Sequence, residues 1–187
     1  MVCWLIPVLV FASLFKWIFA GDGSGIINYF LTQLGLIKEP IPWLTSPKSA
    51  MSALIISNIW RGVPFNMILL ATGLTTLPKE LYEAAEIDGA SKPQSFAYIT
   101  LPLLKPTIIS VITLGFIYTF KAFDMIYIMT SGGPLDSTQI LATASYKLTF
   151  DSFEFGQGAA VANVMLIVLC IVGFINLKFM DKDEVMS

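Results

Sequence analysis

Hydrophobic positions fall along this chain in four long runs, roughly Val2–Ala20, Ser49–Leu74, Pro106–Met129 and Gly156–Met180. Each approaches the ~20 residues that a helix needs to cross a hydrocarbon layer. Shorter patterns lie between them. From Ile26 to Leu36 the apolar residues fall at 26, 27, 30, 31 and 34, with Ser24 placed to cap the start and Gly35 near the end. That spacing predicts a short amphipathic helix lying along the membrane surface. Pro40, Pro42 and Trp43 suit an extended return at headgroup level. Gly132-Gly133-Pro134 marks a turn, and Ser137 to Phe150 reads as a second surface helix. A signal peptide is the rival reading of the first run. That run lacks a basic leading region, and Lys16 with Trp17 near its far end suits an interfacial anchor.

One polar stretch, Glu83 to Pro102, stands between very apolar ones. It reads as two short helices joined at a glycine. Pro78 suits a first helical turn, and Thr76 is a candidate cap before it. Gly89 suits a C-terminal cap, where positive φ costs glycine little. Ser91 then opens the second helix, with Gln94 spaced to close a capping box. Leu81, Ala84, Ala85 and Asp88 share one face. Two alanines let another backbone approach, and Glu83 offers a carboxylate beside them. The segment reads as a plug for a socket on another protein.

Composition supports the membrane reading. Hydrophobic residues are 56% of the 187 and charged residues only 13%, about half the share of a soluble domain. The formal net charge of −2 gives no case for nucleic-acid binding. No histidine is present, which removes the commonest general base and metal ligand. Cys3 and Cys170 lie far apart in apolar runs and read as small buried hydrophobes. No GxxxxGK[ST] phosphate loop occurs, so the chain reads as a non-enzyme without a cofactor of its own. Lys178, Asp181, Lys182, Asp183 and Glu184 read as a solvated tail.

Charges within the runs are the candidates for a pathway. Arg61 stands about halfway along the second run, where a charge is costly, flanked by Gly62 and Pro64. An interrupted helix there would expose backbone groups. Either Arg61 lines a route for substrate, or it is buried against a carboxylate and fixes helix packing. Lys121 and Asp124 are spaced i, i+3 and so can pair on one helix face; Asp124 could instead reach Arg61. Phe116, Phe120, Phe123 and Tyr127 recur at helical spacing, a stripe that suits packing as well as a sugar platform. Asn66 and Asn163 add amides. Aromatic faces with amides and carboxylates suit a neutral polyol. The candidate pathway set is therefore Arg61, Asn66, Phe120, Asp124, Tyr127 and Asn163.

Glu83-Ala84-Ala85, three residues, Gly89, nine residues, Ile99, one residue and Leu101-Pro102 resemble the EAA signature of permease subunits of bacterial ABC importers. Trp60 to Phe65, Ser131 to Pro134 and Asp151 to Gly158 resemble the sugar-transport branch, in the subunit related to the maltose-type first permease. The resemblance covers essentially the whole chain. It implies an all-α polytopic membrane bundle, here with about four transmembrane helices where the family usually has six. Residues 1–187 would form one permease domain, the C-terminal two-thirds of the family domain, with 76–103 as its cytoplasmic coupling loop. It also implies ATPase coupling through Glu83, Ala84, Ala85, Asp88 and Gly89. Expected partners are ATP-binding subunits carrying ATP and magnesium, a second permease and an extracytoplasmic solute-binding protein, all at the cytoplasmic membrane. Lysine bias agrees weakly: Lys79, Lys92, Lys105, Lys178 and Lys182 fall on the side of Glu83 and the C-terminus, against Lys38, Lys48 and Lys147, with Lys16 at the border. A secondary transporter or channel, and a non-transporting remnant or assembly protein, are the alternatives.

Overall fold

A computed structural model describes residues 6–184. Cys3, the start of the first apolar run and the side chains of Asp181 to Glu184 lie outside what is described. Three runs form long helices: α3 (Ala50–Thr75), α5 (Lys92–Phe120) and α8 (Phe155–Glu184). The 26 residues of α3 extend about 39 Å at 1.5 Å each, more than the ~30 Å hydrocarbon thickness. In the apolar windows of α3 and α5 only 17% of residues are buried, and in α8 only 6%. Such outward apolar surface is costly in water, at about 25 cal/mol per Å². In lipid it carries no such cost. Inside lipid the backbone must satisfy itself, and helices do so within one segment.

The described part of the first run forms α1 (Val8–Ile18), an 11-residue apolar helix shorter than a span. It packs on α6 (Asp124–Met129). Phe11, Ala12, Phe15 and Phe19 bury there with Met125, Ile126 and Met129, and with Ala53 and Leu54 of α3. This core lies at the end of α3 remote from Glu83. Lys16 crosses the same contact, its Nζ donating to the Ile128 carbonyl over 3.3 Å.

The third run is not one helix. α5 stops at Phe120 and α6 begins at Asp124, so Lys121 and Asp124 do not share a helix face. Among the described residues no ion pair joins them, and none joins Asp124 to Arg61. Lys121 instead sits over the Tyr118 ring, 5.3 Å from its centroid. Asp124 in the first turn of α6 complements that helix's dipole. The break lets the Met125, Ile126 and Met129 face fold onto α1.

Local signals are answered in detail. α2 (Ile26–Gln33) begins at Gly25, while Ser24 turns away and donates its hydroxyl to Asp22 Oδ1 over 2.6 Å. Gly35 takes φ +69°, and Leu36 N–H reaches back to the Leu31 carbonyl. Thr76 closes α3, its hydroxyl on the Gly73 carbonyl, and Pro78 caps α4 (Lys79–Ile87). α7 (Leu141–Tyr146) starts later than the composition suggested, because Ile140 is extended and its N–H donates to Thr143 Oγ1. A π turn, Lys147–Asp151, carries α7 into α8.

Close approaches set the helix pairs. α3 meets α5 at Gly73, where a Cβ would stand 2.7 Å from Thr107 Cγ2 and 3.1 Å from Leu104 Cδ1. α7 meets α8 at Gly158, where a Cβ would overlap Thr149 Oγ1. The Ser145 hydroxyl donates to the Gly158 carbonyl over 2.8 Å. Gly73→Val should therefore cost about 1–3 kcal/mol by overpacking. Gly173→Val, with open space around it, should stay near wild type. Thermal unfolding in detergent compares them, and equal midpoints would contradict the close α3–α5 contact.

Candidate functional site

Two features carry the functional argument: a polar cleft between α3 and α5, and the short helix α4. The cleft arises from helical spacing. Asn58, Gly62, Phe65 and Asn66 lie on one stripe of α3, and Gly115, Tyr118 and Thr119 on one stripe of α5. A Cβ on Gly62 would find only Asn66 Nδ2, at 3.8 Å, and one on Gly115 would find nothing within 4 Å. The two glycines thus hollow the gap, which encloses about 460 Å³. The Asn58 amide spans it, donating to Thr119 Oγ1 over 3.3 Å. Phe65 and Tyr118 form its aromatic wall, edge to face at 6.1 Å.

Arg61 borders this cleft, half-buried. Among the described residues it has neither a carboxylate partner nor a hydrogen bond, so no carboxylate fixes it. α3 runs unbroken through Gly62 and Pro64, contrary to the expected interruption. Pro64 still has no N–H to offer the Trp60 carbonyl. The cleft's polarity therefore comes from side chains and not from an unwound backbone.

Of the predicted pathway residues, Arg61 and Asn66 line the cleft. The other four do not. Phe120 stacks on Phe116 at 5.5 Å, and Tyr127 stacks on Phe123 at 5.0 Å in a separate aromatic group that includes Tyr146. Asp124 is exposed at the head of α6, and Asn163 is exposed on α8. Asn58, Phe65, Tyr118 and Thr119 were not anticipated. The signal that would have found Asn58 is the i, i+4, i+8 series Asn58, Gly62 and Asn66, a polar line through an apolar helix.

α4 buries none of its residues. Glu83, Ala84, Asp88 and Gly89 are exposed and Ala85 half-buried. Ile87 is 87% and Tyr98 80% exposed, an apolar margin that no described residue covers. The segment is nonetheless held firmly. Tyr82 OH lies 2.8 Å from Thr100 Oγ1, a buried residue in the π turn Phe96–Thr100 of α5. Gly89 takes φ +79°, and Ala90 N–H returns to the Ala85 carbonyl over 2.9 Å. Gln94 Oε1 accepts from Ser91 N–H and Oγ–H at 2.8 and 2.7 Å. These bonds join the exposed helix α4 to the start of α5.

Comparison with known proteins places these features. A probable ABC transporter permease protein of Brucella suis is 39% identical over 184 residues, which is 98% of this chain and 63% of that protein. The trehalose/maltose transport system permease protein of Thermococcus litoralis is 34% identical over 175 residues, 94% of this chain and 58% of the relative. The chain thus spans about three-fifths of the length of these relatives. The crystal structure of a bacterial ABC transporter involved in the import of the acidic polysaccharide alginate shares the fold. Its TM-score is 0.80 at 24% identity, over 95% of this chain and 63% of that one. With residues 1–184 matching the family described as "Binding-protein-dependent transport system inner membrane component", this chain belongs to that family of membrane-embedded transport components.

Proposed function

We propose that this chain forms part of the translocation pathway of an ATP-driven importer for a sugar or related polyol. One observation carries the reading: the spaced Glu83–Pro102 signature is mounted on an exposed helix braced against the foot of α5, the helix that lines the cleft. In this reading ATP-binding subunits dock on α4 and hold the ATP and magnesium. Glu83, Ala84, Ala85, Asp88 and Gly89 form the plug. A second permease completes the pathway, and a solute-binding protein delivers substrate to the opposite membrane face. ATP-driven closure of the partners pulls α4, and the brace at Tyr82 and Thr100 passes the pull to α5. Packed helices then move as rigid bodies, changing access to the cleft.

The cleft suits a neutral polyhydroxy ligand. Asn58, Asn66 and Thr119 supply both donors and acceptors, and Phe65 with Tyr118 supplies apolar ring faces. Arg61, unpaired among the described residues, adds a fork of donors for hydroxyl oxygens. The sugar relatives support the substrate class, since the Thermococcus litoralis protein is named for trehalose and maltose. Phe120, Asp124, Tyr127 and Asn163 would then serve the pathway beyond the cleft. The loop at Glu83 and the C-terminus face the cytoplasm in this reading.

Three experiments test it. Glu83→Lys reverses the plug's charge, and Gly89→Pro removes the turn's N–H and its positive φ. Each should cut recovery of co-purified ATPase by about tenfold, ~1.4 kcal/mol of binding, with membrane insertion unchanged. Wild-type recovery with both would rule out the plug. For orientation, single cysteines at Lys92 and Lys38, in a chain lacking Cys3 and Cys170, meet an impermeant thiol reagent in intact cells. Only position 38 should react; labelling of position 92 alone would invert the assignment. For the cleft, Arg61→Ala should lower transport by at least about tenfold, while Arg61→Lys keeps the charge and loses less. Substrate should also protect cysteines at Asn58 and Asn66. Normal uptake by Arg61→Ala, with no protection at either asparagine, would place the route elsewhere.

A further inference from the structure

Helix α2 and the turn after it bury one polar side chain and expose an apolar face, while Ile27 packs on the core. On a soluble domain an amphipathic helix turns its apolar stripe inward and its polar side chains to water. Here Asn28 is 1% exposed, while Tyr29 (56%), Phe30 (58%), Leu34 (70%) and Leu36 (67%) face outward. Asn28 cannot simply roll out. Its Nδ2 donates to the carbonyls of Ala20 and Ile41 at 3.1 and 2.9 Å, and its Oδ1 accepts from Ile41 N–H and Trp43 Nε1–H at 3.1 and 3.0 Å. The amide is fully satisfied, and it ties α2 to the end of α1 and to the return segment before α3. Rotating α2 to hide its apolar face would orphan all of these groups, at about 1–3 kcal/mol each.

The surroundings identify what covers that face. α2 connects α1 to α3, and both neighbours expose apolar side chains outward, among them Leu14 and Trp17 on α1 and Ile55 on α3. In a membrane component those surfaces meet lipid, and the α2 face continues them. The charges that bound the segment, Asp22 before it and Lys38 and Glu39 after it, are all exposed, and none lies on the apolar face itself. Charged ends around an aromatic and aliphatic middle match the boundary between headgroups and acyl chains.

We propose that α2 is an interfacial lipid anchor. Tyr29, Phe30, Leu34 and Leu36 enter the acyl boundary of the leaflet opposite the Glu83 loop, and the Asn28 clamp holds the helix flat there. The anchor fixes the depth at which α3, and so the cleft, enters the bilayer. It requires only that α3 crosses the membrane and is independent of the transported solute.

Spin labels on single cysteines replacing Phe30, Leu34 or Lys38, in the full chain lacking Cys3 and Cys170, test it in phosphatidylcholine–phosphatidylglycerol vesicles. Collisions with oxygen report lipid, and collisions with a water-soluble nickel chelate report water. The oxygen-to-nickel ratio at 30 and 34 should exceed that at 38 by at least about threefold, as expected for burial by roughly 5–10 Å. Equal ratios at the three sites would put α2 in water. Screening of 30 and 34 from both reagents would put protein over the face. Either result overturns the anchor. A label at Val164 on α8 separates the two levels of the argument: a water-like ratio there overturns the membrane placement of the chain itself.

Discussion

Helices in lipid gain little by hiding apolar side chains from one another, because acyl chains are as apolar as leucine. Association has to come from close contact, and close contact needs small residues. This chain places them where its helices meet. Gly73 receives Thr107 and Leu104 from α5, Gly158 receives the turn after α7, and Ala12 and Ala53, both fully buried, lie in the α1–α3–α6 core. The same trait is used in reverse at Gly62 and Gly115. There the missing side chains face open space, and the gap between α3 and α5 becomes a cleft. Where the two helices touch and where they part is thus decided by which glycines are filled from the other side.

Polar side chains add the second restraint. Asn58 meets Thr119 across α3 and α5, Asn176 donates to Thr113 Oγ1 over 2.7 Å between α8 and α5, and Ser145 meets the Gly158 carbonyl. Each such bond in a membrane is worth only about 0.6 kcal/mol on average. Their role is to select register more than to supply strength. The Asn58 bond is the longest of the three and lies in the cleft.

Much of the segment from Glu83 to Pro102 was legible because its signals are local. Gly89 in the left-handed region, the Ser91–Gln94 pair and the exposed alanine face each depend on a few consecutive residues. The exceptions were local competitions. Thr76 could cap the next helix or close the last one, and the Gly73 carbonyl within reach decided it. Ser24 could cap α2, but its hydroxyl turns to donate to Asp22 two residues away and Gly25 takes the cap position. The cleft was read less well. Arg61 and Asn66 were visible as costly polar groups in an apolar run. Asn58 could have been found from its spacing to Asn66, but Thr119 could not, because a threonine stands out only once the helix facing it is known.

By itself the sequence predicted a helical chain with four runs near spanning length and a polar segment of two short helices between two of them; among the described residues, three helices reach that length. Run length, glycine conformation and cap spacing are properties of adjacent residues. Only the tertiary structure decided that the third run breaks before Asp124, that Asn28 turns inward while its apolar neighbours turn out, and that the polar stripe of α3 faces Tyr118 and Thr119. In water the hydrophobic pattern states which face of a helix points inward. In lipid both faces are apolar, and that instruction is missing. The inward face is then chosen by fit between small residues and by the partners that buried polar groups find.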